Sequence, residues 1–248
     1  MQRNRLFNLI TGGLAILIAA VSMAATPAQT TITLEFNPEN FAGDKIDNPY
    51  FPLKPGTRFI YRGESEGTPT RNVTIVTRET KEILGVTTVV VHDIAYEEGV
   101  LVEDTFDWYA QDKDGNVWYF GEATKKIDEE GNVSTEGSWE AGVDGALPGI
   151  VMLADPQVGD TYQQENFPGE AEDTAEVIGF EDSFCVEYGC FDNVLVTKDW
   201  NPLEPGILEQ KYYASGVGFI SAVMVEGGDE QTELVRIRPR PDNDKDDD

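Results

Sequence analysis

The feature that most constrains this chain is an alternation of β-branched or aromatic residues with polar ones, at a period of two, over most of its length. The pattern is clearest in NVTIVTRETKEI, VTTVVVHDIAY, LVEDTFDWYAQ and NVWYFGE, and it returns in the second half. Short turn sequences such as DKDGN separate these stretches, and no amphipathic helical pattern stands out. Alternation with short connections is typical of antiparallel hairpins. A meander of about 11–12 strands must curl or close, so we predict a mainly β fold curved into a barrel or half-barrel.

The N-terminal region has the order of a secretory signal peptide. Arg3 and Arg5 precede an apolar run over residues 6–23, and small residues follow it, which is the arrangement that signal peptidases process. We predict cleavage after Ala24 or Ala28, an extracytoplasmic location (periplasmic or secreted), and no stable membrane insertion after cleavage. An uncleaved membrane anchor is the alternative, because the run is just long enough to span a bilayer.

Changes in composition divide the chain into further parts. After the signal peptide at 1–28, residues 29–48 have no regular pattern, and residues 49–238 carry the alternation that predicts a single β domain. Residues 239–248 are acidic and are expected to form a disordered tail. Residues 134–158 interrupt the strands but contain several apolar side chains, so we expect a loop that packs back across one end of the barrel.

Charge and cysteine content indicate the environment and the class of partner. The formal net charge is −28, which repels nucleic acid and favours cations or cationic partners; solubility is the simpler explanation of the same charge. The two cysteines, Cys185 and Cys190, flank a turn in FCVEYGCF. In an oxidising compartment this spacing predicts a structural disulfide that closes a hairpin, and redox-active pairs have the tighter C-x-x-C spacing.

Three stretches of the chain resemble a family of uncharacterised exported bacterial β-rich proteins. They are NPYFPLKPGTRFIYRG, DWYAQDKDGNVWYFGE and STEGSWEAGVDGALPGI. The likeness runs from about Asn48 to Ile220. The resemblance implies export and a β-rich domain, and it implies nothing about catalysis.

The sequence lacks the motifs of standard hydrolases. His92 is the one histidine, which excludes multi-histidine zinc sites, and the chain has neither a G-x-S-x-G elbow nor an H-E-x-x-H motif. His92 and Asp93 are neighbours in a predicted strand and therefore point to opposite faces of the sheet. In DKDGN the glycine is misplaced for a calcium loop and Ala123 stands where a bidentate glutamate belongs. We predict a hairpin turn there and no catalytic residues.

Two charged residues lie in otherwise apolar rows of the predicted strands. Asp104 interrupts the apolar face of VLVEDTFDWYA, and Lys198 interrupts that of NVLVTKDW. A buried carboxylate must be hydrogen-bonded, paired or protonated, so the two residues either form an internal Asp–Lys pair or line a cavity for a polar ligand. Tryptophans would supply the apolar walls of such a cavity. The predicted ligand-binding residues are Asp104, Trp108, Trp118, Trp139, Lys198 and Trp200.

The segment STEGSWEAGVDGALPGI carries Glu136, Glu140 and Asp144 at spacings of four. In a loop these side chains can gather oxygen ligands around a hard cation, with Ca²⁺ as the candidate. A solvated acidic loop without a metal is the alternative, because an acidic chain produces such clusters by chance. No other cofactor is indicated.

These observations favour an exported soluble binding protein that holds a small ligand or cation on the concave face of a curved β-sheet. The first alternative is a secreted hydrolase that uses carboxylates of the same region. The second is a structural or envelope-assembly protein without a small ligand. An enzyme is less favoured than a binding protein, and the sequence indicates no oligomeric state.

Overall fold

The computed structural model describes residues 30–239, which form one curved antiparallel sheet. The fifteen strands are β1 (Thr30–Thr31), β2 (Thr57–Ser65), β3 (Thr68–Ile83), β4 (Val86–Glu97), β5 (Val100–Gln111), β6 (Val117–Ile127), β7 (Val133–Ser134), β8 (Trp139–Glu140), β9 (Gly149–Met152), β10 (Asp160–Gln163), β11 (Thr174–Val186), β12 (Gly189–Trp200), β13 (Leu208–Ala214), β14 (Gly218–Glu226) and β15 (Gln231–Pro239). One 3₁₀ turn spans Pro38–Asn40. The predicted signal peptide and residues 240–248 of the predicted tail lie outside the described residues. Within residues 30–239, no helix is long and apolar enough to cross a membrane.

The strand order confirms the predicted mainly β meander. Strands β2 to β6 are joined by hairpins, β10 to β15 are joined in the same way, and β15 pairs antiparallel with β2 to unite the two halves. The one parallel pair among the described strands is β1 with β10. The strand count exceeds the predicted one because several strands, such as β7 and β8, have only two residues.

The two edges of the sheet approach each other without forming a continuous ladder. Strand β9 pairs with β6 at one edge, and a single bridge between Leu147 and Asn166 links the segment before β9 to the segment after β10 at the other edge. A Cβ atom on Gly149 would stand 2.0 Å from the carbonyl oxygen of Gln164, so only glycine permits this approach. The sheet is therefore an open, strongly curved half-barrel.

The segment at 134–158 packs back on the domain, as expected, through the short strands β8 and β9, which both pair with β6. The chain before β2 covers the outside of β6, where Phe36 and Phe41 pack edge-on against Trp118 and Phe120 at centroid distances of 5.8–6.1 Å. These contacts form part of a hydrophobic core that continues along the sheet.

Two local predictions are confirmed by the structure. Cys185 and Cys190 form a disulfide across the β11–β12 hairpin. The DKDGN segment is the turn between β5 and β6, and its first carboxylate, Asp112, accepts hydrogen bonds from the side chains of Asn116 at 2.9 Å and Trp118 at 2.8 Å.

Candidate functional site

A cavity of about 360 Å³ lies inside the curve of the sheet. It is lined by side chains from strands on both halves of the sheet, together with residues 51–53, which precede β2. Seven of its lining residues are aromatic: Phe51, Phe59, Tyr61, Tyr109, Tyr119, Tyr213 and Phe219. Alternation explains this placement on each strand, since Phe59 and Tyr61 on β2 are two residues apart and therefore share a face.

Three carboxyl groups share this aromatic cavity: those of Asp93, Glu165 and Asp173. Among the described residues that line it, Lys211 has the one basic side chain. Lys211 is paired with Asp199 at 3.1 Å and with Glu209 at 3.3 Å, and neither partner is one of the three acids. The cavity therefore contains more acid than base.

Asp93 enters the cavity from β4, on the face opposite to His92, as the alternation predicted. Its carboxyl accepts hydrogen bonds from the side-chain amide of Asn72 and from the hydroxyl of Thr74 at 2.8 Å. Burial raises the pKa of Asp93, and Glu103 adds to the rise, while the hydrogen bonds from Asn72 and Thr74 oppose it. Desolvation is the larger effect, so this carboxyl holds its proton more tightly than a solvated aspartic acid does.

Glu165 and Asp173 lie on either side of the turn between β10 and β11. Burial raises the pKa of Glu165 to about 8, and the negative charges of Asp173 and Glu122 contribute, against the opposing influence of the Trp139 indole and of Lys211. Burial also raises the pKa of Asp173, which Lys211 opposes. Near neutral pH Glu165 therefore holds its proton more tightly than a solvated glutamic acid does.

A polar network lies behind the part of the cavity wall that Tyr119 forms. The hydroxyl of Tyr119 lies 2.7 Å from a carboxyl oxygen of Asp107 and 3.0 Å from one of Glu122. Burial raises the pKa of Asp107 well above its usual value and that of Glu122 to about 7. Because a hydroxyl has one proton to donate, the two contacts are both satisfied when one carboxyl is protonated and donates to the tyrosine oxygen.

A β-bulge in β6 brings Tyr119 and Glu122 to the same face. Residues three apart on a regular strand point to opposite faces, but the register between β5 and β6 shifts where Tyr109 pairs with Tyr119 and Asp107 pairs with Glu122. The extra residue lies at Gly121, whose φ of 115° is strained for other residues. A Cβ atom at Gly121 would also stand 2.2 Å from the Trp139 carbonyl oxygen, so glycine is needed for β8 to pair here.

A second chamber of about 270 Å³ adjoins the first. The two share the wall residues Tyr61, Thr74, Asp93 and Phe219. The lining of the second chamber includes a guanidinium and two further carboxyls, from Arg71, Glu97 and Glu230. Asp93 therefore stands where the two chambers meet.

The predicted ligand-binding residues Asp104 and Lys198 lie outside the cavity, and the alternative that they pair with each other is wrong. Asp104 is 2.5 Å from the Nε2 atom of His92, whose ring stacks on Phe106 at 4.2 Å. Lys198 pairs with Glu176 at 3.0 Å. The physical reason is that the even-numbered face of β5 turns away from the cavity, while Tyr109 on the odd-numbered face lines it.

The predicted tryptophans lie around the sheet and do not form a single wall. Trp108 is buried beneath the ammonium group of Lys81, 3.3 Å from its ring centroid. The indole N–H of Trp118 donates a hydrogen bond to Asp112, and the ring centroid of Trp200 lies 5.2 Å from the Nζ atom of Lys198. None of the six predicted ligand-binding residues lines the cavity, and Trp139 packs against Tyr119, which does.

Trp139 forms the layer directly behind the wall. Its ring packs edge-on against Tyr119, with 5.4 Å between centroids, and its indole lowers the pKa of Glu165. The ring of Trp139 therefore supports Tyr119, which lines the cavity. A role of the six residues in ligand binding stays a prediction.

The three predicted metal ligands do not converge in the structure. Glu140 forms an ion pair with Lys81 at 2.7 Å, while Glu136 and Asp144 are exposed to solvent. Within residues 30–239, no group of three or more acidic, histidine or cysteine side chains is arranged to hold a metal ion. The Ca²⁺ hypothesis therefore finds no support from geometry at these positions.

The carboxyls of the cavity and Asp107 behind its wall were not among the residues predicted from the sequence. Asp93 carried a signal, since the sequence already placed it on the face opposite to His92. Asp107 lies with Thr105 and Tyr109 in the odd-numbered row of β5, opposite to the row of Asp104 that was predicted to bind a ligand. Glu165 and Asp173 flank a turn, where alternation gives no information about direction.

No protein-family model matches the sequence, and no curated protein matches it. Among solved structures, the chain is similar to a protein of Bacteroides fragilis that is inferred to be exported and has a YmcC-like fold. The TM-score is 0.46 and the identity 14%, over 76% of this chain and 98% of that one. It is also similar to a protein of Parabacteroides distasonis that is inferred to be a lipoprotein, with a TM-score of 0.44 and 12% identity over 77% and 99% of the two chains. Likeness at this level carries no argument about function, which therefore rests on the geometry of the cavity.

Proposed function

We propose that this chain is an exported binding protein that holds one small, partly apolar ligand in the interior cavity. The observation that carries the proposal is an open space of about 360 Å³ lined by aromatic rings and three carboxyl groups. Ligand sites typically measure about 300–1,000 Å³ and combine apolar walls with a few polar groups that fix orientation. A protein interior that served stability alone would be filled to the density of an organic crystal.

Export is part of the same proposal and has independent support. The N-terminal sequence has the charge and hydropathy order of a secretory signal. The disulfide between Cys185 and Cys190 suits an oxidising compartment. A binding protein outside the cytoplasm meets its ligand directly in the periplasm or the medium.

The experiment compares two valine variants. Val151 lies on β9 and lines the cavity, so Val151→Phe places a ring in the open space. Val100→Phe is the matched control, because Val100 is 65% exposed and its replacement leaves the cavity unchanged. Circular dichroism and thermal unfolding establish that both variants are folded.

Native mass spectrometry of protein purified from its own host should find a bound small molecule on the wild type and on Val100→Phe, and lose it on Val151→Phe. A ligand that dissociates during purification would escape this measurement, so we also titrate each protein with the fluorescent probe N-phenyl-1-naphthylamine. The fluorescence of the probe should increase with the wild type and with Val100→Phe, and Val151→Phe should abolish this increase. Absence of both signals from the folded wild-type protein, or equal signals from all three proteins, would overturn the proposal.

A further inference from the structure

We propose that the ligand held in this cavity is an organic cation, a small amine or quaternary ammonium compound that lies between the aromatic rings and the carboxyls of Asp93, Glu165 and Asp173. The inference rests on the proposed function, because it names the ligand class of the same cavity. Its support comes from two independent features: the charge balance of the wall and the chemistry of the rings.

The charge balance favours a positive ligand. Three carboxyls reach the cavity, and the lining cation, Lys211, already has two carboxylate partners of its own in Asp199 and Glu209. An acid taken out of water is costly to ionise unless a counter-charge stands beside it. A bound ammonium group would supply that counter-charge, whereas an anionic ligand would meet three acids and no free cation among the lining residues.

The rings favour the same ligand class. Tyr109 stacks on Tyr119 at a centroid distance of 4.8 Å, and Phe51 approaches Tyr109 at 5.3 Å. An ammonium ion is attracted to the face of an aromatic ring within about 6 Å of its centroid, and the attraction is strongest where water is excluded. Tyr61, Tyr213 and Phe219 also line the cavity. Rings and carboxyls together form the kind of enclosure that recognises alkylammonium groups.

The test uses three probes of nearly one shape that differ in charge: choline, the uncharged 3,3-dimethylbutan-1-ol, and the anion 3,3-dimethylbutanoate. Binding is measured by calorimetry and by ligand-observed NMR at pH 8. We expect choline to bind at least roughly ten-fold more tightly than the alcohol, and we expect the anion to bind most weakly. Val151→Phe should weaken choline binding, which places the probe in the cavity.

Glu165→Gln removes one of the three acids without changing the shape of the wall. We expect it to weaken choline binding roughly ten-fold and to leave the alcohol unaffected. Glu130→Gln is the matched control, because Glu130 is exposed and the substitution changes the net charge by the same amount. Equal weakening by both variants would mean that the long-range field of an acidic protein attracts choline, and it would overturn the inference.

The outcomes separate this inference from the function on which it rests. If the alcohol or the anion binds in the cavity as tightly as choline, the ligand class is wrong and the binding function stands. If none of the probes binds, the cationic class is overturned. In that case the native mass measurement on the wild type and on Val151→Phe decides the binding function separately.

Discussion

The carboxyl of Glu165 should make folding stability fall as pH rises, and Glu165→Gln should remove that dependence. The pKa of this side chain is raised from 4.5 to about 8 in the folded protein by burial and by neighbouring acids. Between about pH 4.5 and pH 8, the folded state therefore keeps a proton that the unfolded chain has released. Stability decreases with pH wherever the folded state binds more protons, so the contribution present below pH 4.5 is lost as pH rises through about 8.

The size of the effect follows from the same values. A rise from 4.5 to about 8, at 1.36 kcal/mol for each pKa unit, corresponds to about 5 kcal/mol in total, of which roughly 4 kcal/mol is lost between pH 5 and pH 9. Water that enters the cavity screens the charge and reduces this figure, so we expect a measured difference of at least about 2 kcal/mol. Glutamine has the same shape and carries no charge. Glu165→Gln should therefore be more stable than the wild type at pH 9 and close to it at pH 5.

The assay is urea unfolding of the wild type, Glu165→Gln and Glu130→Gln at pH 5, 7 and 9, at constant salt. The control variant corrects for the general repulsion within a chain of net charge −28, because it removes one charge at an exposed site. The reasoning would be refuted if the difference in the free energy of unfolding between the wild type and Glu165→Gln stayed constant from pH 5 to pH 9. A constant difference would mean that the carboxyl ionises without cost. Asp107 and Glu122 add to the wild-type slope in the same direction, and they are present in all three proteins.

Two further changes test the scaffold around the cavity. Asp112→Ala should cost about 3 kcal/mol in the free energy of unfolding, because it leaves the buried donors of Asn116 and Trp118 without their acceptor; a loss below about 0.5 kcal/mol in urea titration would contradict this role. Reduction of the disulfide between Cys185 and Cys190 should cost about 2 kcal/mol, since the bridge closes a short loop in the unfolded chain. Identical unfolding curves with and without dithiothreitol would argue against that contribution.

The overall fold could be predicted because its signals are local. Alternation identifies strands, short glycine turns identify hairpins, and together they lead to a curved antiparallel sheet. The structure bears this out for β2 to β6 and for the second half of the chain. The opposite orientation of His92 and Asp93 was predictable for the same reason, since it depends only on the pleat of one strand.

The candidate site was less predictable because it depends on which face of the sheet curves inward. On β5 both faces carry aromatic and acidic residues, so Asp104 beside Phe106 gave the same signal as Asp107 beside Tyr109. Alternation shows which residues of a strand share a face, but it does not say whether that face is on the inside of the curve. The bulge at Gly121 then places Tyr119 and Glu122 together against the simple period, and a bulge depends on cross-strand pairing that one strand does not reveal.

The acidic cavity is costly for the fold, and that cost is itself an argument for a ligand. Large apolar side chains in place of Asp93, Glu165 and Asp173 would add hydrophobic contacts and remove the desolvation of three carboxyls. A protein whose sheet only had to be stable would gain by such a filling, whereas this chain keeps an open space surrounded by rings and acids. Departures from the rules of stable packing are expected where a protein binds or reacts. A cationic ligand would offset the cost of desolvating these carboxyls, because it supplies the positive charge that the wall lacks.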